Sequence, residues 1–412
     1  MKPPLPAFLF AAIFFLLVPV FPALAADAAF QSFLQSLRPQ AEQFGISLAT
    51  FDAAIRGLEP DLSLPDLVIP GQPKRPDRQP EFLQTPADYL KESTLTRLAT
   101  QGRTLATEYR TALAKMEREI GVSSAIVLAI WGRETSFGRA NLGHDAIRVL
   151  ATQAYVGRRK DQFREEFLYA LKLLQEGHAT RAQMRSSWAG AMGLTQFLPS
   201  EFYKHAVDFD DDGKRDIFKS VLDALASAAM QLRHKGWQPN RRWAYEVRAP
   251  KEIDCTIAQP GHTMPLRTWI ERGYVPLAGR APSAAELSEP ASLLLPEGTY
   301  GPAFLTLKNY YVIKDYNFSD LYVLFVGNLA DRIAGGGDFV TPWSKASQLH
   351  TTDVERMQER LTQIGLYRDK IDGKAGMLTR SALGAYQKAN GLKLDCWPTR
   401  AVLDHMTKSG KR

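Results

Sequence analysis

Cysteine is almost absent from this chain, with only Cys255 and Cys396 among its 412 residues. Neither has a second Cys or a His at metal-ligand spacing, which excludes a zinc-ribbon or zinc-finger fold. The two residues lie far apart and in different predicted domains. The sequence therefore leaves two interpretations open, namely two isolated thiols or one disulfide formed in an oxidising compartment.

Long hydrophobic runs are also missing. The longest, Phe8 to Val18, falls short of the roughly 20 apolar residues that a membrane-spanning helix needs. It follows Lys2 and precedes an A-x-A sequence that ends at Ala25, which is typical of a secretory signal peptide over residues 1–25. A retained membrane anchor is the alternative, which two prolines after the run disfavour. No cysteine adjoins the cleavage site, so lipoprotein anchoring is not indicated, and we expect no membrane span after signal cleavage.

No segment carries a block of one charge sign. The chain has 51 Lys and Arg residues against 44 Asp and Glu residues, a formal net charge of +7, and the two signs are interspersed. Nucleic acid is a poor fit for an exported chain of mixed charge. A mildly basic exported protein instead suits an anionic polymer outside the cytoplasm.

Apolar periodicity predicts a mainly α fold of the α+β class. Helical patterns dominate residues 87–236, including one long helix from Thr94 to Ile120. Short β-like runs with Pro and Gly over 237–300 predict a small α+β lobe. Gly, Pro and Ser then mark a linker, and a compact tail of two or three short helices follows. The predicted divisions are a signal peptide (1–25), a large domain (28–333), a linker (334–350) and a C-terminal domain (351–408).

The stretch IWGRETSFGR, residues 130–139, places a carboxylate at the end of an apolar helix. Residues 126–131 are nearly all apolar, Glu134 follows them, and Gly138 is expected to end the helix. Burial disfavours a charged carboxylate, and a carboxyl group kept protonated near neutral pH can act as a general acid. Glu134 is therefore the candidate catalytic acid. The alternative is a salt-bridged or solvated Glu at a helix end.

A second stretch, SSWAGAMGLTQFLPS at residues 186–200, combines small residues with two different contact types. Its alanines and glycines allow the backbone to approach a ligand or another element closely. Gln196 can donate and accept hydrogen bonds, and Phe197 offers a flat apolar face. Sugars use both kinds of contact, so the stretch favours a glycan site. Tight packing with a buried, satisfied Gln is the alternative.

Together the two stretches resemble the lytic murein transglycosylases of the B type, glycoside hydrolase family 103. Further similar stretches are RQPEF at 78–82, the Arg158-Arg159 pair in YVGRRKDQF, and NYYVIKDYNFSDLY at 309–322. The five stretches occur in the order typical of the family, and the resemblance covers about residues 28–333. It implies a lysozyme-like helical core with a long cleft, located in the periplasm. One departure is Met230-Gln231, where an aromatic residue facing the cleft is expected.

The resemblance also implies roles for individual residues. Glu134 matches the single catalytic acid of the family. The implied substrate-binding residues are those that hold the glycan (Ser187, Gln196, with Phe197 beside it), those of the far wall (Tyr316, Asn317, Tyr322) and a basic edge for stem-peptide carboxylates (Arg158, Arg159). The implied partner is peptidoglycan, both glycan strands and stem peptides. No cofactor is required for this chemistry.

The number of carboxylates bears on the mechanism. Ordinary glycosidases use two, roughly 5–10 Å apart, and Asp315 is the only other candidate near these stretches. The resemblance implies that Glu134 acts twice. It first protonates the bond between N-acetylmuramic acid and N-acetylglucosamine, and it then deprotonates the 6-hydroxyl that closes a 1,6-anhydro ring. A muramidase that hydrolyses the same bond and a non-catalytic wall-binding scaffold are the alternatives.

The stretch DFDDDGKRDIFK, residues 208–219, begins like a calcium-binding loop. Asp208, Asp210 and Asp212 fit the first three ligands of D-x-D-x-D-G. Position twelve is Lys219 where a bidentate Glu is expected, so Asp223 is the candidate for the last ligand. A structural calcium ion is one interpretation, and a solvated Asp-rich turn is the other.

The tail resembles the peptidoglycan-binding domain 1 module over nearly its whole length. The matching positions include Gln358, Ile371-Asp372-Gly373, Thr379, Tyr386-Gln387 and Asp395. Asp372, Gly373 and Thr379 are expected to shape a turn and a helix cap rather than to bind ligand. A wall-binding tail joined by a linker would raise the local substrate concentration.

Overall fold

The computed structural model describes residues 23–72, 84–344 and 349–409. The predicted signal peptide up to residue 22 and the stretch RQPEF lie outside the described residues and stay predictions. Within the described ranges, no helix is both long enough and apolar enough to cross a bilayer.

The large domain is mainly helical. Its helices are α1 (Ala23–Ser36), α2 (Arg38–Gln43), α3 (Leu48–Ile55), α4 (Pro86–Tyr89), α5 (Glu92–Glu108), α6 (Arg110–Ile120), α7 (Ser124–Thr135), α8 (Ala146–Val156), α9 (Lys160–Gln175), α10 (Pro199–His205), α11 (Val221–His234), α12 (Leu266–Glu271), α13 (Ala284–Leu287), α14 (Lys308–Asn317) and α15 (Asp320–Ile333). The predicted helix from Thr94 to Ile120 is in fact two helices, because the backbone leaves the helical conformation at Tyr109. Gly121, in the left-handed conformation that glycine favours, ends the second.

Two apolar cores organise these helices. One contains the buried faces of α5, α7 and α15 and includes Trp131, Phe137 and Tyr322. The other joins α1, α3, α8 and α9 and includes Phe197. Helix α7 is buried almost throughout, from Ile126 to Gly132, which explains why its sequence lacks the usual polar face.

The predicted α+β lobe is a five-stranded antiparallel sheet. The strands of the large domain are β1 (His144–Asp145), β2 (Arg185–Ser186), β3 (Ala244–Arg248), β4 (Thr263–Pro265), β5 (Val275–Pro276), β6 (Pro290–Leu294), β7 (Pro296–Thr299) and β8 (Ala303–Thr306). The sheet order is β4-β6-β8-β3-β5. Strands β1 and β2 form a separate antiparallel pair, with His144 opposite Ser186. This pair joins the start of α8 to the stretch 186–200.

The C-terminal domain contains three helices, α16 (Thr351–Gln363), α17 (Met377–Ala389) and α18 (Arg400–Ser409). Its polar centre is the buried amide of Gln358, which donates to Asp372 and Thr379 and accepts from the backbone N–H groups of Asp372 and Gly373. These residues shape a turn, as the sequence predicts. The prediction of a mainly α fold with a small α+β lobe and a small helical tail is confirmed.

The segment predicted to be a linker is held to the large domain. Glu246, on β3, accepts hydrogen bonds from the backbone N–H groups of Val340 and Thr341 at 2.8 and 2.7 Å. Ser344 donates its N–H to the buried Glu297 at 2.7 Å. These charge-assisted hydrogen bonds fix the described part of this segment, up to Ser344, on the large domain.

A disulfide decides between the two interpretations of the cysteines. Cys255, in the sheet lobe, is bonded to Cys396 of the C-terminal domain, with 6.1 Å between their Cα atoms and 141 residues between them in sequence. The interpretation of two isolated thiols is therefore wrong. Tyr300 donates its hydroxyl to Asp395 at 2.6 Å beside the bridge, which adds a polar contact between the two domains.

Candidate active site

Glu134 lies at the last turn of α7, where the apolar helix meets three other segments. Its side chain is half-buried. The hydroxyl of Tyr322 donates a hydrogen bond to its Oε1 at 2.6 Å, across 188 residues of sequence. Tyr322 is 1 % exposed and belongs to α15, which packs against α7. The carboxylate of Glu134 is thus oriented by a donor that the core holds rigidly.

The turn after Glu134 is unusual because three consecutive residues have left-handed backbone. Ser136, Phe137 and Gly138 have φ of 49°, 60° and 78°. The expectation that the helix ends at Gly138 is wrong by three residues, since α7 ends at Thr135. For residues other than glycine, the left-handed conformation costs roughly 1 kcal/mol or more in conformational free energy. Burial of Phe137 against Gly132 and Trp131 offsets that cost and directs the chain away from Glu134.

A pair of stacked tyrosines forms the wall beside Glu134. The rings of Tyr316 and Tyr322 lie 6.3 Å apart at an angle of 8°, and Tyr316 donates its hydroxyl to the carbonyl oxygen of Thr195 at 2.7 Å. Burial, together with the negative charge of Glu134, raises the pKa of both phenols well above the usual value. Both hydroxyls therefore stay protonated donors at any pH at which the protein works.

The stretch from Ser187 to Phe197 folds into a loop against the end of α7. Thr135 donates its hydroxyl to the carbonyl of Leu194 at 2.7 Å and accepts from the N–H of Gly138 at 3.1 Å. Ser187 and Gln196 are half-buried and bond within the loop. The Ser187 hydroxyl accepts from the N–H of Ala189, and the Gln196 amide donates to the carbonyl of Gly193.

Glycines in this loop permit close approach of another element. A Cβ atom at Gly190 would lie 2.3 Å from Leu150 on α8, and one at Gly193 would lie 2.7 Å from the carbonyl oxygen of Ile217. Both glycines also have positive φ. The two glycines therefore allow the loop to pack tightly onto the domain. The sequence had left open whether they serve such packing or close approach to a ligand.

Phe197 does not face a sugar, and that prediction is wrong. Its ring is 1 % exposed and belongs to the apolar core of α8 and α9. Its backbone pairs with Met192 in both directions at 2.8 Å, which closes the loop. Gln196, by contrast, has left-handed backbone with φ of 58° and a half-buried side chain, so the two neighbours differ in burial.

Arg133 was missed at the sequence level. Its guanidinium lies over the rings of Tyr89 and Phe325 at 4.8 and 5.1 Å and donates to the Tyr89 hydroxyl at 2.6 Å. From there its positive charge acts on both Glu134 and Tyr322. An Arg directly before a candidate Glu is a weak signal, because adjacent helix residues do not normally share a face.

The far-wall residues after Tyr316 differ in exposure. Asn317 is half-buried at the end of α14, and Phe318, which follows it, is 78 % exposed. A single exposed aromatic side chain is normal on a protein surface, so exposure alone assigns Phe318 no role. Phe318 was not predicted from sequence, where it is only one of several aromatic residues.

Asp315, the second carboxylate that the sequence offers, is exposed on α14. Glu201, on α10, is close enough for its charge to act on Tyr316. It is already engaged, since it pairs with Lys204 and His205 and accepts from Gln231 at 2.9 Å. The hydrogen bond from His205 lowers the pKa of Glu201 to about 2. The buried Gln231, where an aromatic residue was expected, thus serves this carboxylate.

Arg158 and Arg159 share a partner within the domain. Asp66 lies 3.1 Å from Nε of Arg158 and 3.5 Å from a guanidinium nitrogen of Arg159. The Arg159 guanidinium also lies 4.9 Å from the ring centre of Phe163. The pair holds the loop around Asp66 against the start of α9 and stays partly exposed.

The Asp-rich loop gathers three of its four predicted metal ligands. Oxygen atoms of Asp208, Asp210 and Asp212 lie within 4.8 Å of one another. The prediction for Asp223 is wrong: its buried carboxylate accepts from the N–H groups of Phe209 at 2.8 Å and Asp216 at 2.9 Å, so it fixes the loop from inside. Lys219 places an ammonium group at position twelve.

The chain matches the family described as "Transglycosylase SLT domain" over residues 29–331. It belongs to that family. Residues 350–406 match a second family, described as "Putative peptidoglycan binding domain". The first match spans most of the chain and contains the site residues described above, from Glu134 to Tyr322. The recognition of a lytic-transglycosylase domain joined to a peptidoglycan-binding domain is confirmed.

Solved structures and a curated relative agree with this assignment. SltB3 from Pseudomonas aeruginosa, solved in complex with NAG-anhNAM-pentapeptide, is 38 % identical with a TM-score of 0.82, over 92 % of this chain and 99 % of that one. Slt35 from Escherichia coli, solved with calcium, is 27 % identical with a TM-score of 0.53, over 61 % of this chain and 80 % of that one. Membrane-bound lytic murein transglycosylase B from Escherichia coli strain K12 is 30 % identical over 55 % of this chain and 61 % of its own length, so the match leaves over a third of that relative uncovered.

Proposed function

We propose that this protein is a periplasmic lytic transglycosylase that cuts the bond between N-acetylmuramic acid and N-acetylglucosamine in peptidoglycan. Glu134 is the single acid and then base. The observation that carries the proposal is the hydrogen bond from the buried Tyr322 to Glu134 at 2.6 Å. It supports a carboxyl group held in one orientation at the end of an apolar helix, where it can exchange a proton with a substrate.

In the first step, protonated Glu134 donates its proton to the glycosidic oxygen as the bond to C1 of the muramic acid breaks. In the second, the ionised carboxylate takes the proton of the muramic acid 6-hydroxyl, whose oxygen attacks C1. The product is a 1,6-anhydro ring, and no water is consumed. Tyr322 stabilises the carboxylate between the two steps, because a donated hydrogen bond favours its charged form. The nucleophile is already part of the bound substrate, which lowers the entropic cost.

A muramidase would need a second carboxylate or a water molecule activated in its place. Three described carboxylates other than Glu134 lie near the tyrosine wall. Glu201 is bound by Lys204, His205 and Gln231, and Asp320 is paired with Lys314 and Arg380. Asp315 is exposed on α14. None of these arrangements resembles a free base that faces Glu134. This favours the lyase over the hydrolase.

The substrate assignment also rests on the C-terminal domain and on the relatives. A domain of the peptidoglycan-binding family is docked on the catalytic domain through a disulfide. SltB3, which is similar over 92 % of this chain, was solved in complex with NAG-anhNAM-pentapeptide. A non-catalytic scaffold would have no use for the Glu134–Tyr322 pair, so we favour turnover over binding alone.

A structural calcium ion is a secondary proposal. Asp208, Asp210 and Asp212 would hold it, since their oxygen atoms already converge. Lys219 and the internally bonded Asp223 do not fit the remaining positions, so water would complete the shell and affinity would be modest. Adding calcium to protein dialysed against chelator should raise the midpoint of thermal unfolding by a few degrees at most, and Asp210→Ala should abolish the rise.

The experiment is to digest purified sacculi and to weigh the released muropeptides by mass spectrometry. Products one water lighter than the hydrolysed species, without a reducible muramic end, are the expected result. Full-mass reducible ends would replace the lyase with the muramidase. Binding to sacculi without release would leave only the scaffold.

A further inference from the structure

We infer that Arg380, in the C-terminal domain, positions the tyrosine wall beside Glu134 and thereby sets the turnover rate. The inference rests on the proposed function and adds a role for the C-terminal domain beyond holding the cell wall. Arg380 touches neither substrate nor reacting atoms in this account. It is a positioning residue that acts through Asp320, the first residue of α15.

Asp320 is the centre of an ionic cluster at the junction of the two domains. Its Oδ1 accepts from the Tyr310 hydroxyl at 2.6 Å and from Nζ of Lys314 at 2.5 Å. Its Oδ2 accepts from the Arg380 guanidinium at 3.2 Å. The side chains of Arg380 and Asp320 are only 8 % and 10 % exposed. An ion pair with so little solvent contact is screened far less than a surface pair.

The cluster lies directly beneath the tyrosine wall. Tyr310 and Lys314 belong to α14, which ends with Tyr316 and Asn317, whereas Asp320 begins α15 two residues before Tyr322. Asp320 therefore joins the two helices on either side of the Phe318–Ser319 turn. Any shift of Asp320 moves the start of α15 and with it the hydroxyl that donates to Glu134.

Arg380 is itself fixed by the docked C-terminal domain. Its other guanidinium nitrogen donates to the carbonyl of Ala375 at 2.5 Å. Met377, at the start of the same helix, is 3 % exposed and is part of the apolar core that contains α7 and α15. Ser381 donates to the carbonyl of Thr256, beside the disulfide. Helix α17 thus holds the guanidinium of Arg380 in a fixed position against the catalytic domain.

The charges in the cluster depend on each other. Burial alone would raise the pKa of Asp320, but Lys314 and Arg380 hold it well below the usual value. Without Arg380, the buried carboxylate keeps only the two donors on α14. We expect it to relax toward Lys314 or to admit water, and either change displaces the start of α15. Small displacements of a positioned catalytic group reduce rates strongly.

The test compares Arg380→Ala and Arg380→Lys with Lys388→Ala. Lys388 forms the other kind of contact across this interface, an exposed pair with Asp254 at 2.9 Å, and is the matched control. On a soluble glycan fragment, Arg380→Ala should lower kcat about tenfold with KM within about twofold. Arg380→Lys should recover part of the loss, and Lys388→Ala should match wild type. Thiol counts and circular dichroism establish that each variant keeps the disulfide and fold.

Repeating the Arg380→Ala substitution in a second variant tests whether Arg380 acts by positioning Tyr322 or by a general loosening of the fold. In Tyr322→Phe, the hydroxyl through which Arg380 is inferred to act is already gone, so adding Arg380→Ala should change kcat by less than about twofold. Tenfold losses in both backgrounds, or wild-type kcat in Arg380→Ala, would overturn the inference. Wild-type protein that forms no anhydro product would instead refute the proposed function, which keeps the two failures distinct.

Discussion

Two acidic stretches of this protein use the same functional group in opposite ways. In the first, Glu134 bonds to Tyr322, a residue from a distant part of the chain that the core holds in place. In the second, the Asp-rich loop together with Asp223 in the first turn of α11, carboxylates accept mainly from backbone N–H groups of that loop. Asp208 accepts from Asp212 and Gly213, and Asp223 from Phe209 and Asp216.

The difference separates a carboxylate built for proton transfer from carboxylates that build a turn. A carboxylate that satisfies its own loop stabilises local backbone and can be exchanged only at a cost in folding. A carboxylate held by a neutral phenol from another helix keeps its proton available to a substrate. The former should respond to mutation in stability, and the latter in rate.

Glu134→Gln gives the largest expected effect. The amide keeps the shape and can still accept from Tyr322, but it cannot donate and retrieve a proton. We expect turnover of sacculi to fall by about 10³-fold or more, with the midpoint of thermal unfolding within about 2 °C of wild type. Pull-down with sacculi should be unchanged. A variant that retains a tenth of the activity would assign the acid role elsewhere.

Tyr322→Phe should have the next largest effect. Removal of the hydroxyl leaves the ring in the core but takes away the hydrogen bond that orients Oε1 of Glu134, so kcat should fall about 100-fold. Tyr316→Phe is the matched control, because its hydroxyl bonds to the Thr195 carbonyl and not to Glu134. The account expects a clearly smaller loss there, measured as kcat on a soluble glycan. Equal losses would mean that the stacked pair acts only as a unit.

Asp223→Ala tests the other side of the comparison. It removes the buried carboxylate that accepts from the partly buried N–H groups of Phe209 and Asp216, so the free energy of unfolding should fall by about 2 kcal/mol. Asp212→Ala, at an exposed position of the same loop, should cost less than about 0.5 kcal/mol. Urea unfolding of both variants measures this. A large loss of kcat in Asp223→Ala protein that is still fully folded would contradict a purely structural role.

Glu201→Gln gives the smallest effect and depends on pH. The pKa of Glu201 is lowered from 4.5 to about 2, so its stabilisation is fully present above about pH 4.5 and is lost as pH falls toward 2. The variant should be less stable than wild type by about 1 kcal/mol at pH 5, and the difference should disappear only as pH falls through about 2. Glu42→Gln, exposed on α2, should follow wild type throughout. If the difference in stability between wild type and Glu201→Gln instead grew as the pH fell, the pKa of Glu201 would have to be raised by folding rather than lowered.

Much of this comparison could be predicted from sequence, and the misses have physical reasons. An apolar helix followed by Glu134 is a strong local pattern, whereas Tyr316 and Tyr322 were implied only by the resemblance to the family. Phe197 was misplaced because a single stretch does not tell which side chain faces the core. Asp223 was misplaced because carboxylates accept equally well from a metal ion or from backbone N–H groups.

The attachment of the C-terminal domain depends on long-range contacts that no local sequence pattern predicts. Glycine-rich composition predicted a linker, but Glu246 and Glu297 hold its backbone from positions far away in sequence. The pairing of Cys255 with Cys396 likewise requires the docked arrangement of two domains. Such long-range contacts decide whether a domain is tethered or fixed.

The most direct test of the central claim, that Glu134 works without water, is digestion of sacculi in water enriched in heavy oxygen. Wild-type protein should release muropeptides with 1,6-anhydro ends and no heavy oxygen at C1, and Glu134→Gln should release none. One heavy oxygen per cut end would contradict the account, because it would show that water, activated by a second group, attacks C1.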